Sequence, residues 1–167
     1  MFDPDLIQRA DSLIKLAQAR KTMIATAESC TGGLLAGLLT EIAGSSAVFE
    51  RGFVTYSNAA KIQMLGVPAA MLDLYGAVSA PVAEAMVLGA LAHSGAGLAL
   101  SITGIAGPGG GTMAKPVGLV FLACGGKGGA VEMSEQRFGD LGRDGIRRAA
   151  LIVALDMLER AIHVLRP

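Results

Sequence analysis

Short β-prone runs alternate with stripes of three- and four-residue periodicity along the chain, and that order leaves few folds open. The first such run, Thr22 to Ala27, reads as a central strand buried on both faces. It leads through Glu28-Ser29-Cys30-Thr31-Gly32-Gly33 into an apolar helix from Leu34 to Thr40. A second strand, Ala47 to Tyr56, ends at Ser57-Asn58, which caps a short helix closed by Gly66. Pro68 to Tyr75 makes another short helix, and Ser79 is the N-cap of a longer one, Ala80 to Ser94, with Pro81 in its first turn. Gly97 to Thr103 is a third strand and runs into the loop Gly104 to Gly111. Val117 to Cys124 and Ala130 to Phe138 form a hairpin around Gly125-Gly126-Lys127-Gly128-Gly129. An amphipathic helix opens the chain at Asp3-Pro4, and another follows Asp140. Strands alternating with helices, plus one hairpin, predict an α/β fold: one three-layer α/β/α domain over residues 1–167 with a mixed, mostly parallel sheet.

Composition narrows the function classes. Glycine supplies 23 of 167 residues without a Gly-X-Y period, and 52% of the chain is hydrophobic, which excludes collagen and disorder. Fourteen basic residues balance 14 acidic ones, so there is no footprint for a polyanion and no nucleic-acid partner is expected. Mean hydropathy is +0.53. The longest uncharged stretch, Ala85 to Ala114, is nevertheless broken by His93, Pro108 and eight glycines, so no membrane span is expected. Asp3 and Asp5 stand where a signal peptide would be basic, and Cys30 and Cys124 make no disulfide framework; a cytoplasmic protein is the expectation. The two histidines and two cysteines lack metal-ligand spacing, so neither metal nor cofactor is expected. The low charge and apolar helices suit a homo-oligomer, a dimer or larger.

Four stretches could carry chemistry. Ser29 stands in a strand-to-helix turn, where unpaired amides meet the positive end of a helix. A hydroxyl there can attack a carbonyl while neighbouring amides receive the oxyanion, and Gly32 and Gly33 let the backbone approach a ligand. Helix capping by Ser29 or Thr31 is the competing reading. Cys30 is a rival nucleophile or a buried thiol, and Glu28 orients the site or caps the turn. His93 and His163 give no convincing triad order, which leaves Lys61 as a base if desolvation lowers its pKa. Lys61 lies five residues after Tyr56, not the four of short-chain dehydrogenases, and an exposed helix lysine is the alternative. The loop Gly104 to Gly111 lacks the Gly-Lys-Ser/Thr of a P-loop, yet successive amides at a strand end can make an anion-binding nest, with the Thr103 hydroxyl projecting there. A structural turn competes with that reading. Arg143 could grip a phosphate bidentately, whereas Arg147 and Arg148 read equally as solvated helix charges.

Taken together, Ala27-Glu28-Ser29-Cys30-Thr31-Gly32-Gly33, Tyr56-Ser57-Asn58-x-x-Lys61, Gly76-Ala77-Val78-Ser79 and Thr103 to Gly111 resemble the CinA carboxy-terminal domain family. The resemblance runs from about Leu6 to Leu158. It implies hydrolysis of the carboxamide of nicotinamide mononucleotide (NMN), a small-molecule nucleotide substrate, to nicotinate mononucleotide and ammonia. It places the nucleophile on Ser29, the base on Lys61 and a supporting tyrosine on Tyr56. Substrate binding falls to Thr103 and Arg143, joined by Thr31, Gly32, Gly33, Gly104, Gly107 and Gly109 from the turn and the loop. A nucleotide-binding module without turnover, or a hydrolase of another small amide, are the alternatives.

Overall fold

The computed structural model describes residues 2–164. One five-stranded sheet has the order β2-β1-β3-β4-β5, formed by β1 (Ile24–Glu28), β2 (Phe49–Val54), β3 (Leu98–Gly104), β4 (Leu119–Gly126) and β5 (Val131–Arg137). β1 pairs in parallel with β2 and β3, whereas β3–β4 and β4–β5 are antiparallel. The sheet is therefore mixed: only β4 runs against the rest, but the four pairings divide evenly between the two kinds.

Alternation along the strands supplies two apolar faces. Ile24, Leu98, Leu100, Ile102, Val120 and Leu122 face a core closed by α1 (Pro4–Ala19), α2 (Leu34–Thr40) and α6 (Gly142–Val164). The opposite face is built from small residues, Ala25, Ala27, Ala99 and Ala123, and packs against α3 (Asn58–Leu65), α4 (Ala69–Tyr75) and α5 (Ala80–Ala92). Large side chains on one face and alanines on the other let α5 lie close to the sheet, where Ser101 Oγ donates to the Ala83 carbonyl at 2.7 Å. Among the described residues no helix is long and apolar enough to cross a membrane.

Helix ends follow local chemistry. Asp3 caps α1 by accepting from Leu6 N, and Ser57 caps α3 by accepting from Ala60 N. Ser79 precedes α5 as expected but makes no side-chain cap; its hydroxyl donates instead to the Gly76 carbonyl at 2.9 Å. That bond closes the Gly76–Ser79 turn, which borders the site below. The strands are shorter than the apolar runs predict at several ends, because pairing stops where a neighbouring strand stops. Ala47 belongs to a 3-10 turn, and Thr55 and Tyr56 lie past the end of β2.

Candidate active site

β1 is flanked on both sides by strands parallel to it, so the chain order reverses there and the carboxyl ends of three strands open side by side. Crevices at such points are where α/β sheets hold ligands. The strand ends deliver Ser29, Thr55 with Tyr56, and Thr103 with Gly104. Ser29 N donates to the Ile102 carbonyl at 2.9 Å and Thr55 N to the Glu28 carbonyl at 2.8 Å, so the sheet ladder itself fixes both.

α3 turns back over these ends and carries Lys61, the largest fully buried side chain, only 1% exposed. Its Nζ lies 2.9 Å from Ser29 Oγ, 2.8 Å from the Thr55 carbonyl and 3.5 Å from the Tyr56 carbonyl. None of the ion pairs among the described residues involves it. Burial therefore pushes its pKa below the ordinary 10.5, since the ammonium is desolvated without a counter-charge. A neutral amine fits this surrounding: two N–H bonds point to carbonyls and the lone pair faces the Ser29 hydroxyl. The same burial pushes the Cys30 thiol up to about 11, so it stays protonated near neutral pH and is a poor rival nucleophile.

Glu28 proves to be a cap. Its buried carboxylate accepts from Leu35 N at 3.0 Å, Ala36 N at 2.8 Å and the Thr31 hydroxyl at 2.7 Å, closing the start of α2. Those first-turn amides are thus occupied. The amides of Cys30, Thr31 and Gly33 donate to no backbone carbonyl or side-chain oxygen among the described residues. Of these three residues only Cys30 borders the cavity.

The cavity measures about 280 Å³. Ser29, Cys30 and Lys61 form its floor, Ala77 and Val78 one wall, and Thr103 to Gly107 with Gly109 and Gly110 another, while Tyr56 and Arg143 stand at the rim. The four residues Ala106, Gly107, Gly109 and Gly110 of the glycine loop, all lining the cavity, also have amides without acceptors among the described residues. No carboxylate among the described residues lines this space. Uncommitted amides beside a guanidinium suit an anion.

The structure thus brings together Ser29, Lys61, Tyr56, Thr103, Gly104, Gly107, Gly109 and Arg143. It does not bring Thr31, Gly32 or Gly33 to the cavity. The Thr31 hydroxyl is spent on Glu28, and the two glycines turn the backbone into α2 with φ of 61° and 94°, backed by Arg147 and Val54. Both glycines serve the turn, whose positive φ values disfavour any other residue. Two further roles differ in detail. The Tyr56 hydroxyl does not reach Lys61; it accepts from Arg143 Nη2 at 3.4 Å, and only its carbonyl faces the amine. Thr103 Oγ1 donates to the Ala77 carbonyl at 2.8 Å, holding the opposite wall in place. Arg143 Nη1 donates to the Gly107 carbonyl at 3.0 Å, which ties the glycine loop to α6. Arg147, read from sequence as a surface charge, is half-buried and donates to the Thr31 carbonyl at 2.8 Å. Its spacing of four from Arg143 was the available signal, since that puts both on one helix face.

A buried amine against a serine hydroxyl, at the carboxyl ends of parallel strands and beside uncommitted amides, defines a site equipped for acyl-group chemistry. The CinA C-terminal domain model matches residues 7–162, and the chain belongs to that family. Nicotinamide-nucleotide amidohydrolase PncC of Escherichia coli K12 is 49% identical over 159 residues, covering 95% of each chain. A CinA-like protein of Anaeromyxobacter dehalogenans is 50% identical over 153 residues, 92% of this chain but 37% of that protein, so the chain spans little more than a third of this longer relative. Among solved structures, competence/damage inducible protein CihA of Agrobacterium tumefaciens superposes with a TM-score of 0.94 at 52% identity, covering 96% of this chain and 98% of that one.

Proposed function

We propose that the protein hydrolyses the carboxamide of NMN to nicotinate mononucleotide and ammonia, with Ser29 as nucleophile and Lys61 as base. The observation that carries the mechanism is Lys61 Nζ at 2.9 Å from Ser29 Oγ, with its other hydrogen-bonding directions taken by the Thr55 and Tyr56 carbonyls. Relatives named nicotinamide-nucleotide amidohydrolase, matched over most of their length, support the substrate.

Neutral Lys61 accepts the Ser29 proton as Oγ bonds to the amide carbon, and the carbonyl π pair moves to oxygen. The Cys30 amide, which adjoins Ser29 and has no oxygen acceptor among the described residues, donates to that oxyanion. Collapse breaks the C–N bond, the ammonium of Lys61 gives its proton to the departing nitrogen, and ammonia leaves an acyl-serine. Water then repeats the sequence: Lys61 takes its proton, the hydroxide adds, and Ser29 departs reprotonated. Arg143 and the free amides of the glycine loop bind the ribose phosphate. Tyr56 serves by positioning Arg143 through its hydroxyl, and by setting its carbonyl against Lys61.

Steady-state ammonia release from NMN tests the reading. Ser29→Ala and Lys61→Ala should each lower kcat by roughly a thousandfold or more, as loss of a nucleophile or its base does. NMN should still bind Ser29→Ala, and a Ser29→Ala enzyme near wild-type turnover would overturn the assignment. NMN bound by the wild type without ammonia release would instead mark a binding module.

A further inference from the structure

The turn carrying Ser29 is reached from behind by a charge that the mechanism above leaves unused. Arg147, one helical turn beyond Arg143 on α6, donates from Nη2 to the Thr31 carbonyl at 2.8 Å. That carbonyl shares a peptide unit with Gly32 N–H, which donates to the Ser29 carbonyl at 3.0 Å. The Ser29 carbonyl in turn shares a peptide unit with the N–H of Cys30, a residue that lines the cavity and whose amide donates to no oxygen among the described residues. We infer that Arg147 is a positioning residue for the reaction: its guanidinium polarises these two peptide units in series and so strengthens the Cys30 amide as donor to the oxyanion. The inference rests on Ser29 being the nucleophile.

Hydrogen bonds in series polarise one another, and a charged donor at the head of the series makes the strongest first link. Arg147 forms no ion pair among the described residues, so its charge is not cancelled locally. Its Nε is buried without an acceptor, so this pose is held at a cost. A Cβ added at Gly32 would stand 3.5 Å from Nη2, which places the guanidinium directly against the turn. The Cys30 thiol registers the charge as well: Arg147 pulls its pKa down, against the larger upward push of burial.

The test compares wild type, Arg147→Lys and Arg147→Met, using NMN turnover and the rate at which a fluorophosphonate labels Ser29. The probe puts a phosphoryl oxygen where the oxyanion forms and does not depend on the amide substrate. Arg147→Met should lower kcat and the labelling rate together by about tenfold, less than deleting an oxyanion donor costs, with KM for NMN within about twofold. Arg147→Lys, which keeps the charge, should recover most of both rates. The midpoint of the acid limb of the kcat–pH profile should stay at its wild-type value, because the base is untouched. Wild-type rates in Arg147→Met, equal impairment of the Lys and Met variants, or a moved midpoint would each overturn the role. If Arg147→Met does not fold, Arg147→Gln takes its place: neutral but able to donate, it should show the same loss, and full activity in it overturns the role too. Failure of the probe to label Ser29 in the wild type overturns the nucleophile reading itself. Labelling of the wild type with an unimpaired Met variant overturns only the part given to Arg147.

Discussion

Lys61 reaches Ser29 only because α3, capped by Ser57, places position 61 on its inward face, one turn from the strand ends. Since burial lowers its pKa below 10.5, the active neutral form accumulates before the pH reaches that value. The kcat for ammonia release should therefore rise with pH along an acid limb whose midpoint lies below 10.5, and stopped assays across pH would locate it. A limb centred at the ordinary lysine value would mean the amine is not desolvated during turnover. Glu28 sets a second expectation at this scale. Glu28→Gln turns an NH2 toward donors that now face carboxylate oxygen, so it should lower unfolding free energy by about 1–3 kcal/mol in urea melts and reduce kcat as the Ser29 turn loosens. Ser29, Lys61 and Arg143 could be named from residue type beside a strand end or a helix start. Glu28 could be named as a cap of the turn, though not against its rival role of orienting the site; its partners, and Arg147 as a clamp, could not, because both depend on which atoms a long side chain reaches after folding.

Helix α5 shows how packing between elements sets the site. A Cβ at Gly89 would meet the Leu65 carbonyl oxygen at 2.1 Å, so α3 rests directly on the backbone of α5 at its last turn. No rotamer relieves a clash with a main-chain carbonyl. Gly89→Ala should cost about 1–3 kcal/mol by thermal or urea unfolding. It should also lower kcat, because the helix it displaces carries Lys61. Strand and helix order was legible from period and turn residues, and Leu34 to Thr40 coincides with α2. Less legible were the places where tertiary partners decide. The hairpin tip is shifted along its glycine run, because Gly125 still pairs with Val131 while Gly126 pairs only with Leu98 on the other edge of β4. Ser79 spends its hydroxyl on the Gly76 turn rather than on its own helix. Gly89 itself carries no sign in the sequence of the helix that lies on it.

At the scale of the fold, the two-faced sheet buries a lysine with no ion-pair partner among the described residues, where an apolar side chain would be less costly. Function and stability therefore oppose each other at Lys61, and pH exposes the conflict. Above 10.5 both folded and unfolded chains carry a neutral amine there, and its ionisation takes nothing from stability. As pH falls below 10.5 the unfolded chain gains a proton that the folded one refuses, so stability drops until the lowered folded pKa is passed. Lys61→Met removes this dependence, although it also leaves the Thr55 and Tyr56 carbonyls without their donor, an offset that does not vary with pH. The unfolding free energy of the wild type minus that of Lys61→Met should accordingly increase as pH rises toward 10.5, while the variant releases no ammonia at any pH. Urea melts of both proteins at matched pH values would measure the difference, with other titrating groups cancelling between them. A difference that stays flat from neutral pH to 10.5 would mean Lys61 keeps its ordinary pKa in the folded chain, and the neutral amine required to deprotonate Ser29 would lose its physical basis.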